Sequence, residues 1–189
     1  PKDTNDVLSL MEYSQKNSVP LLARGGGSSQ CGQTVGESVV LDYSKHQNKI
    51  LELNVEEKYV WVQPGVVLDH LNDYLKPHGL WFPVDVSTSS RATIGGMSAN
   101  NSCGSRSLYY GNMVHNVLAI EAILDDGSIF QFDQINKNYL ATKNNQDRLY
   151  KIIDKFIDVR EKVGSEIDAN WPTTQRRVGG YNIDLIDPE

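Results

Sequence analysis

The sequence predicts an α+β fold in two packed lobes, and three observations carry that prediction. Short β-branched or alternating runs follow one another between turn formers, apolar residues recur elsewhere at helical spacing, and an Asp-Gly pair joins two apolar runs as a hairpin. No internal repeat, low-complexity tract or flexible linker interrupts them.

The first element is a helix over about residues 4–17, with Thr4, Asn5 and Asp6 as capping candidates and Val7, Leu8, Leu10, Met11 and Ser14 near helical spacing. The apolar run PLLAR reads as a strand that feeds directly into Gly25, Gly26 and Gly27. SVVLDY, KILELNV and YVWVQPG read as further strands. Val67, Leu68, Leu71, Tyr74 and Leu75 form the stripe of an amphipathic helix, which Pro77 and Gly79 should end. In NVLAIEAILDDGSIFQF, two strands meet at an Asp126-Gly127 turn. Leu149, Ile152, Ile153, Phe156, Ile157 and Val163 then mark a long surface helix from Asp147 to about Lys162.

Composition bounds the function. With 189 residues, 39% of them hydrophobic, the chain can bury one substantial core or two small ones. A formal charge of -6, a pI near 5.2 and scattered Lys and Arg provide no basic field, which argues against nucleic acid as a partner. No run approaches the roughly 20 apolar residues of a membrane span. The start, PKDTNDVLSLMEY, lacks the regions of a signal peptide, so a soluble, cytoplasmic protein is expected. Cys31 and Cys103 have no CxxC partner and read as reduced thiols. His46, His70, His78 and His115 are dispersed without ligand spacing, so no metal site is expected. Glu56-Glu57 and Asp125-Asp126 read as solvated turns rather than a catalytic pair. Pro1 stands where an initiator Met would, and the chain stops at IDPE just after RRVGGYNIDLI, which reads as part of a longer protein.

Two glycine-rich segments do not read as ordinary connections. Ala92 to Gly111, ATIGGMSANNSCGSRSLYYG, is long, small and rich in amides and hydroxyls, yet it lies between core-like segments. Its glycines permit close backbone approach, and its amides suit a phosphate or pyrophosphate; alternatively its polar side chains satisfy its own backbone. Arg24 to Gly32, RGGGSSQCG, leaves an apolar strand with three glycines and two hydroxyls. No GK[ST] follows, and Gln30 stands where a GxGxxG motif needs glycine, so neither nucleotide fingerprint applies. A simple glycine turn and an anion loop both remain open there. A dinucleotide's pyrophosphate gripped from two sides would use both segments.

RGGGSSQCG, VVLDYS, WVQPG, LNDYLKPHGLWFPVDVSTSSRATIGGMSANNSCGSRSLYYG and NVLAIEAILDDG occur in the order found in the PCMH-type FAD-binding domain of the vanillyl-alcohol oxidase superfamily, the FAD-linked oxidases. The chain resembles that domain over nearly its whole length, and within it the branch of D-lactate, glycolate and D-2-hydroxyacid dehydrogenases. The resemblance implies FAD as cofactor, with Gly25, Gly26, Gly27, Ser28, Ser29 and Gly32 against its pyrophosphate. It places Pro83, Asp85, Ser87 and Thr88 beside pyrophosphate and flavin, and Thr93, Ile94, Gly95, Gly96, Ala99, Asn100 and Gly104 in the loop closing over the phosphates. Tyr110 and Gly111 match the family's aromatic-glycine step, and Val117 falls near the adenine end. The implied lobes are residues 1–56 and 57–189.

Covalent relatives carry a histidine after the glycines where this chain has Ser28, so the resemblance implies noncovalent FAD. RRVGGYNIDLI resembles the RxxSGYNLD-type segment that precedes the family's substrate-binding cap, with Gly179 where serine is common. The substrate, a small molecule, and the catalytic base then belong to residues outside this sequence, and no catalytic residue is assigned within it. The expected protein is the FAD-binding fragment of a 2-hydroxyacid dehydrogenase passing electrons to an acceptor other than NAD. The alternatives are a molybdenum-hydroxylase FAD subunit or MurB-like reductase of the same fold, and a noncatalytic nucleotide- or partner-binding module.

Overall fold

In the computed structural model, residues 1–134, 147–174 and 176–186 are described. They form two compact units: residues 1–117 with 125–128, and residues 118–124 with 129 onward.

The first unit opens with α1 (Thr4–Asn17), capped by Asp3, whose carboxylate accepts from the amides of Asn5 (2.8 Å) and Asp6 (3.2 Å). The cap thus lies one residue before the three candidates read from sequence, because Asp3 is the extended residue at the helix entrance. Strand β1 (Leu21–Arg24) pairs in parallel with β2 (Val39–Asp42), Leu21 opposite Val39 and Arg24 opposite Asp42. A parallel pair needs a crossover, and here the glycine segment supplies it. Strands β3 (Ile50–Asn54) and β4 (Tyr59–Val62) form an antiparallel hairpin. The expected lobe boundary between residues 56 and 57 falls in the turn of this hairpin, and the first compact unit continues to Val117.

Helix α2 (Leu68–Leu75) buries Leu68, Leu71 and Leu75 of the predicted stripe, leaves Tyr74 of that stripe exposed, and ends in a 3-10 turn at Lys76–His78 with Gly79 left-handed at φ +69°. Leu71 and Leu75 pack with Val66 against Ile50, Leu53, Val60 and Val62 of the hairpin. Leu68 packs on the other side with Val84, Ala92, Met97 and Met113. Each fully buried side chain of this size contributes about 1.5–3 kcal/mol, so α2 is the pin of this unit. Its first amides are capped from outside: Leu68 N donates to Ala92 O (3.0 Å) and Asp69 N to Ser89 O (3.2 Å).

The segment expected as one long loop contains three short helices: α3 (Ile94–Ala99), α4 (Ser107–Tyr110) and α5 (Met113–Asn116). Glycine propensity hid α3. Gly95 is required because a Cβ there would lie 2.5 Å from Pro64 Cβ, so the helix packs against residue 64 only without a side chain.

In the second unit, β5 (Ile120–Ile123) pairs antiparallel with β6 (Ile129–Phe132), as the Asp-Gly turn predicts. Gly127 has φ +83°, and Asp126 Oδ1 accepts from Ser128 N (2.9 Å). Helix α6 runs Arg148–Asn170, capped by Asp147, and thus continues eight residues beyond Lys162. Gly164 weakens the middle of this helix by about 1 kcal/mol, but burial of Ile167 beyond it carries the helix on. Arg160 Nη2 bonds Asp168 Oδ1 (2.8 Å) along the same stretch.

Candidate functional site

The site lies wholly within the first unit and is built from three segments: the crossover from β1, residues 83–93, and α3. Segment 83–93 is held by α2. Phe82 N donates to Asn72 Oδ1 (2.7 Å), fixing the entrance, and the carbonyls of Ser89 and Ala92 cap the helix at the other end. Ile94 N and Gly95 N then donate to the carbonyls of Val66 (2.8 Å) and Pro64 (2.9 Å), and Thr93 bridges Val67. Residue 93 therefore has almost no freedom.

Against this rigid wall lies the first glycine loop. A Cβ on Gly26 would stand 2.1 Å from the Arg91 carbonyl oxygen, and one on Gly25 would stand 2.0 Å from Thr93 Oγ1. Only glycine permits that approach. Thr88 Oγ1 and Ser28 Oγ lie 3.5 Å apart, and Gln33 Nε2 donates to Asn100 Oδ1 (3.0 Å), so further contacts tie the loop to the 88–100 stretch. Gly27 adopts φ +63°. Gly25 to Ser29 are half-buried, and among the described residues the amides of Gly26, Gly27, Ser28 and Ser29 have no hydrogen-bond partner.

The orphan at the centre is Thr93. It is 2% exposed, and its Oγ1 is buried without a partner. A buried hydroxyl without a hydrogen bond costs about 1–3 kcal/mol. Beside a row of unpaired amides, this donor marks a cradle for an anion bound through hydrogen bonds.

The neighbouring polar residues serve the scaffold. Ser98 Oγ donates to Ile94 O (2.9 Å), Asn100 Nδ2 to Gly96 O (2.9 Å), and Asn101 Oδ1 accepts from Val114 N (3.0 Å). Much of ANNSCGS thus satisfies its own backbone. Asp85 does the same: its carboxylate accepts from Ser105 Oγ (2.7 Å) and Arg106 N (2.9 Å), with Arg106 Nε at 3.8 Å. Burial raises its pKa, but these bonds and the Arg106 charge outweigh burial and hold the carboxyl below its ordinary value. Gly104 must be glycine because a Cβ would lie 2.0 Å from the Asp85 carbonyl oxygen. Asp85 consequently positions the 104–106 turn.

Of the other expected contacts, Ser87 and Ala99 are exposed, Pro83 and Gly96 half-buried, and Gly32, at φ +81°, has open space around it. Tyr110 packs edge-on to Trp81 at 5.1 Å, Gly111 faces the His115 ring, and Val117 joins the core around Leu68. Gln33 and Pro64 were not foreseen. No periodicity marks a glutamine that ties two loops, and Pro64 became legible only through the close approach of Gly95. Cys31 is exposed and Cys103 half-buried, both free. Among the described residues, no cluster of His, Cys, Asp and Glu could hold a metal, and no helix is long and apolar enough to cross a membrane.

A mixed α+β unit in which a glycine loop after β1 meets a second glycine-bearing segment has the donor set of a nucleotide-cofactor domain. Residues 1–133 match the family described as FAD binding domain, and the chain belongs to that family. It is 42% identical over 193 aligned residues to a D-2-hydroxyglutarate dehydrogenase of Haemophilus influenzae, covering 97% of this chain and 18% of that protein. It is 41% identical to the mitochondrial D-lactate dehydrogenase [cytochrome] of Kluyveromyces lactis, covering 68% of this chain and 23% of that one. The chain thus spans about a fifth of the length of these curated relatives. The structure of 6-hydroxy-D-nicotine oxidase from Arthrobacter nicotinovorans superimposes with a TM-score of 0.63 at 18% identity, covering 70% of this chain and 28% of that one. This likeness concerns the fold, and it agrees with the α+β, PCMH-type architecture read from sequence.

Proposed function

We propose that the chain is the cofactor-holding part of an FAD-dependent dehydrogenase that oxidises a D-2-hydroxy acid, D-2-hydroxyglutarate or D-lactate being the favoured substrates. The observation that carries the reading is the meeting of the Gly26–Ser29 amides with the orphaned Thr93 hydroxyl, a donor set suited to a diphosphate. The relatives named above supply the substrate class. Bound FAD supplies a two-electron acceptor for the hydride that leaves the alcohol carbon.

This chain's residues act by binding and orientation. The Gly26–Ser29 amides donate to one side of the diphosphate, and Thr93 Oγ–H donates from the opposite wall. Ser28, Thr88, Gly25, Gly27, Gly95 and Gly96 complete the cradle, with Ile94 packed into the core behind it. The Gln33–Asn100 bond keeps the two walls at fixed separation. Tyr110, Gly111 and Val117 extend the surface toward the rest of the cofactor. Attachment is noncovalent, because Ser28 occupies the position where a histidine would form the link. The substrate groups and the base belong to a cap outside these residues, the electron acceptor is not NAD, and the complete protein works in the cytoplasm.

The complete protein should purify with flavin absorbance, release all of it on acid precipitation, and bleach on anaerobic addition of D-2-hydroxyglutarate or D-lactate. Colourless protein that FAD cannot reconstitute, or bound flavin that neither acid reduces, would overturn the reading.

A further inference from the structure

The first glycine loop rests on a charged residue that the cradle itself does not use. Arg24 ends β1, and its guanidinium lies directly under Gly27: a Cβ on Gly27 would meet Arg24 Nη2 at 2.6 Å and Nε at 2.9 Å. The positive φ of Gly27 and its missing side chain together let the cation approach the underside of the loop. Among the described residues, no carboxylate lies within ion-pair distance of Arg24. Its charge is therefore not neutralised by a contact pair.

The strand register sets the backbone position of Arg24. Arg24 stands opposite Asp42 across the parallel pair, and Arg24 O accepts from Tyr43 N (2.9 Å). The Asp42 carboxylate is fixed by Ser44, whose amide (2.9 Å) and hydroxyl (2.6 Å) both donate to Oδ1. These bonds, and then the Arg24 charge, keep Asp42 ionised below its ordinary range. Arg24 and Asp42 are thus cross-strand neighbours whose charges interact, although no contact ion pair joins them among the described residues.

The other cations near the cradle are differently placed. Arg106 lies against Asp85 and over the Trp81 ring at 5.1 Å, and Arg91 offers the loop its carbonyl. A chain with formal charge -6 repels a diphosphate at long range, so a local cation has work to do, and the exposed Arg24 side chain is open to screening by salt.

Resting on the FAD reading above, we propose that Arg24 is a positioning residue that sits against the Gly25–Ser29 loop and supplies positive charge opposing the FAD diphosphate. It acts through the loop that its guanidinium touches at Gly27. Its contribution is Coulombic, so it must weaken with salt and survive replacement by another cation.

The test titrates apoprotein of the complete chain with FAD, following flavin fluorescence, at about 0.05 M and about 0.5 M sodium chloride. Arg24→Gln should weaken FAD binding about tenfold at low salt and much less at high salt, flattening the salt dependence. Arg24→Lys should keep the wild-type salt dependence and bind within about threefold of wild type. A melt of each apoprotein reports folding, and Arg24→Met replaces Arg24→Gln if the latter does not fold. Equal losses at both salt concentrations, or a Lys variant as weak as the neutral one, would show a merely structural role and overturn the proposal. Failure of wild-type apoprotein to bind FAD at all would instead remove the FAD reading beneath it.

Discussion

Replacing Gly26 by alanine separates the two walls of the cradle. The new Cβ would stand 2.1 Å from the Arg91 carbonyl oxygen and 2.9 Å from its carbon, both backbone atoms. Ordinary contact begins at 3.4 Å, and residue 91 cannot retreat because Ser89 and Ala92 on either side cap α2. The glycine loop must therefore move outward by about 1 Å or more, at a cost of about 1–3 kcal/mol in folding. For a chain of this size that is a fall of about 2–4 °C in Tm per kcal/mol. Displacement of the Gly26–Ser29 amides removes about two charge-assisted hydrogen bonds, about 3 kcal/mol, which is about 100-fold in the FAD Kd. The assay is fluorescence titration of FAD into apoprotein, with Gly79→Ala as control. Gly79 has φ +69° and nothing within 4 Å, so alanine there brings backbone strain without a clash and should leave the Kd unchanged. A folded Gly26→Ala protein with wild-type FAD affinity would refute the reasoning.

Thr93→Val should leave apoprotein as stable as wild type or about 1 kcal/mol more so, since it removes an orphaned hydroxyl, yet weaken FAD binding about tenfold; unchanged affinity by titration would exclude the hydroxyl as a ligand. Asp85 has a depressed pKa, so its stabilisation is full above the ordinary value of 3.8 and is lost as pH falls through the lower folded value. Asp85→Asn should therefore lower Tm at about pH 7, with the gap to wild type closing as acid protonates the native carboxyl; a gap constant down to pH 2 would contradict this. Leu68→Ala, at a position 1% exposed in the core with Val84, Ala92, Met97 and Met113, should destabilise by about 2–5 kcal/mol in a denaturant melt.

Local rules made most elements legible. Helix α2 followed from its stripe and its Pro-Gly stop, the β5–β6 hairpin from Asp-Gly, and α1 from apolar spacing, because each is decided within a few residues. Helix α3 was not legible, since Gly95 and Gly96 lower helix propensity and the reason for them, Pro64, lies some thirty positions upstream. Helix α6 runs past the expected end near Lys162, because burial of Ile167 carries it through Gly164. At the site, the pattern of glycines gave the chemistry of the cradle but not its assembly. That Gly26 meets Arg91, or that Asp85 braces the turn at Gly104, depends on tertiary approach that leaves no periodic trace.

The central claim is that the loop after β1 and the wall around Thr93 hold one diphosphate between them. Amide hydrogen exchange of the complete apoprotein, measured with and without FAD, tests it most directly. The account requires slowed exchange in both residues 25–33 and residues 88–100, with α6 unchanged. Protection confined to one of these segments, or absent from both while FAD is bound, would contradict it.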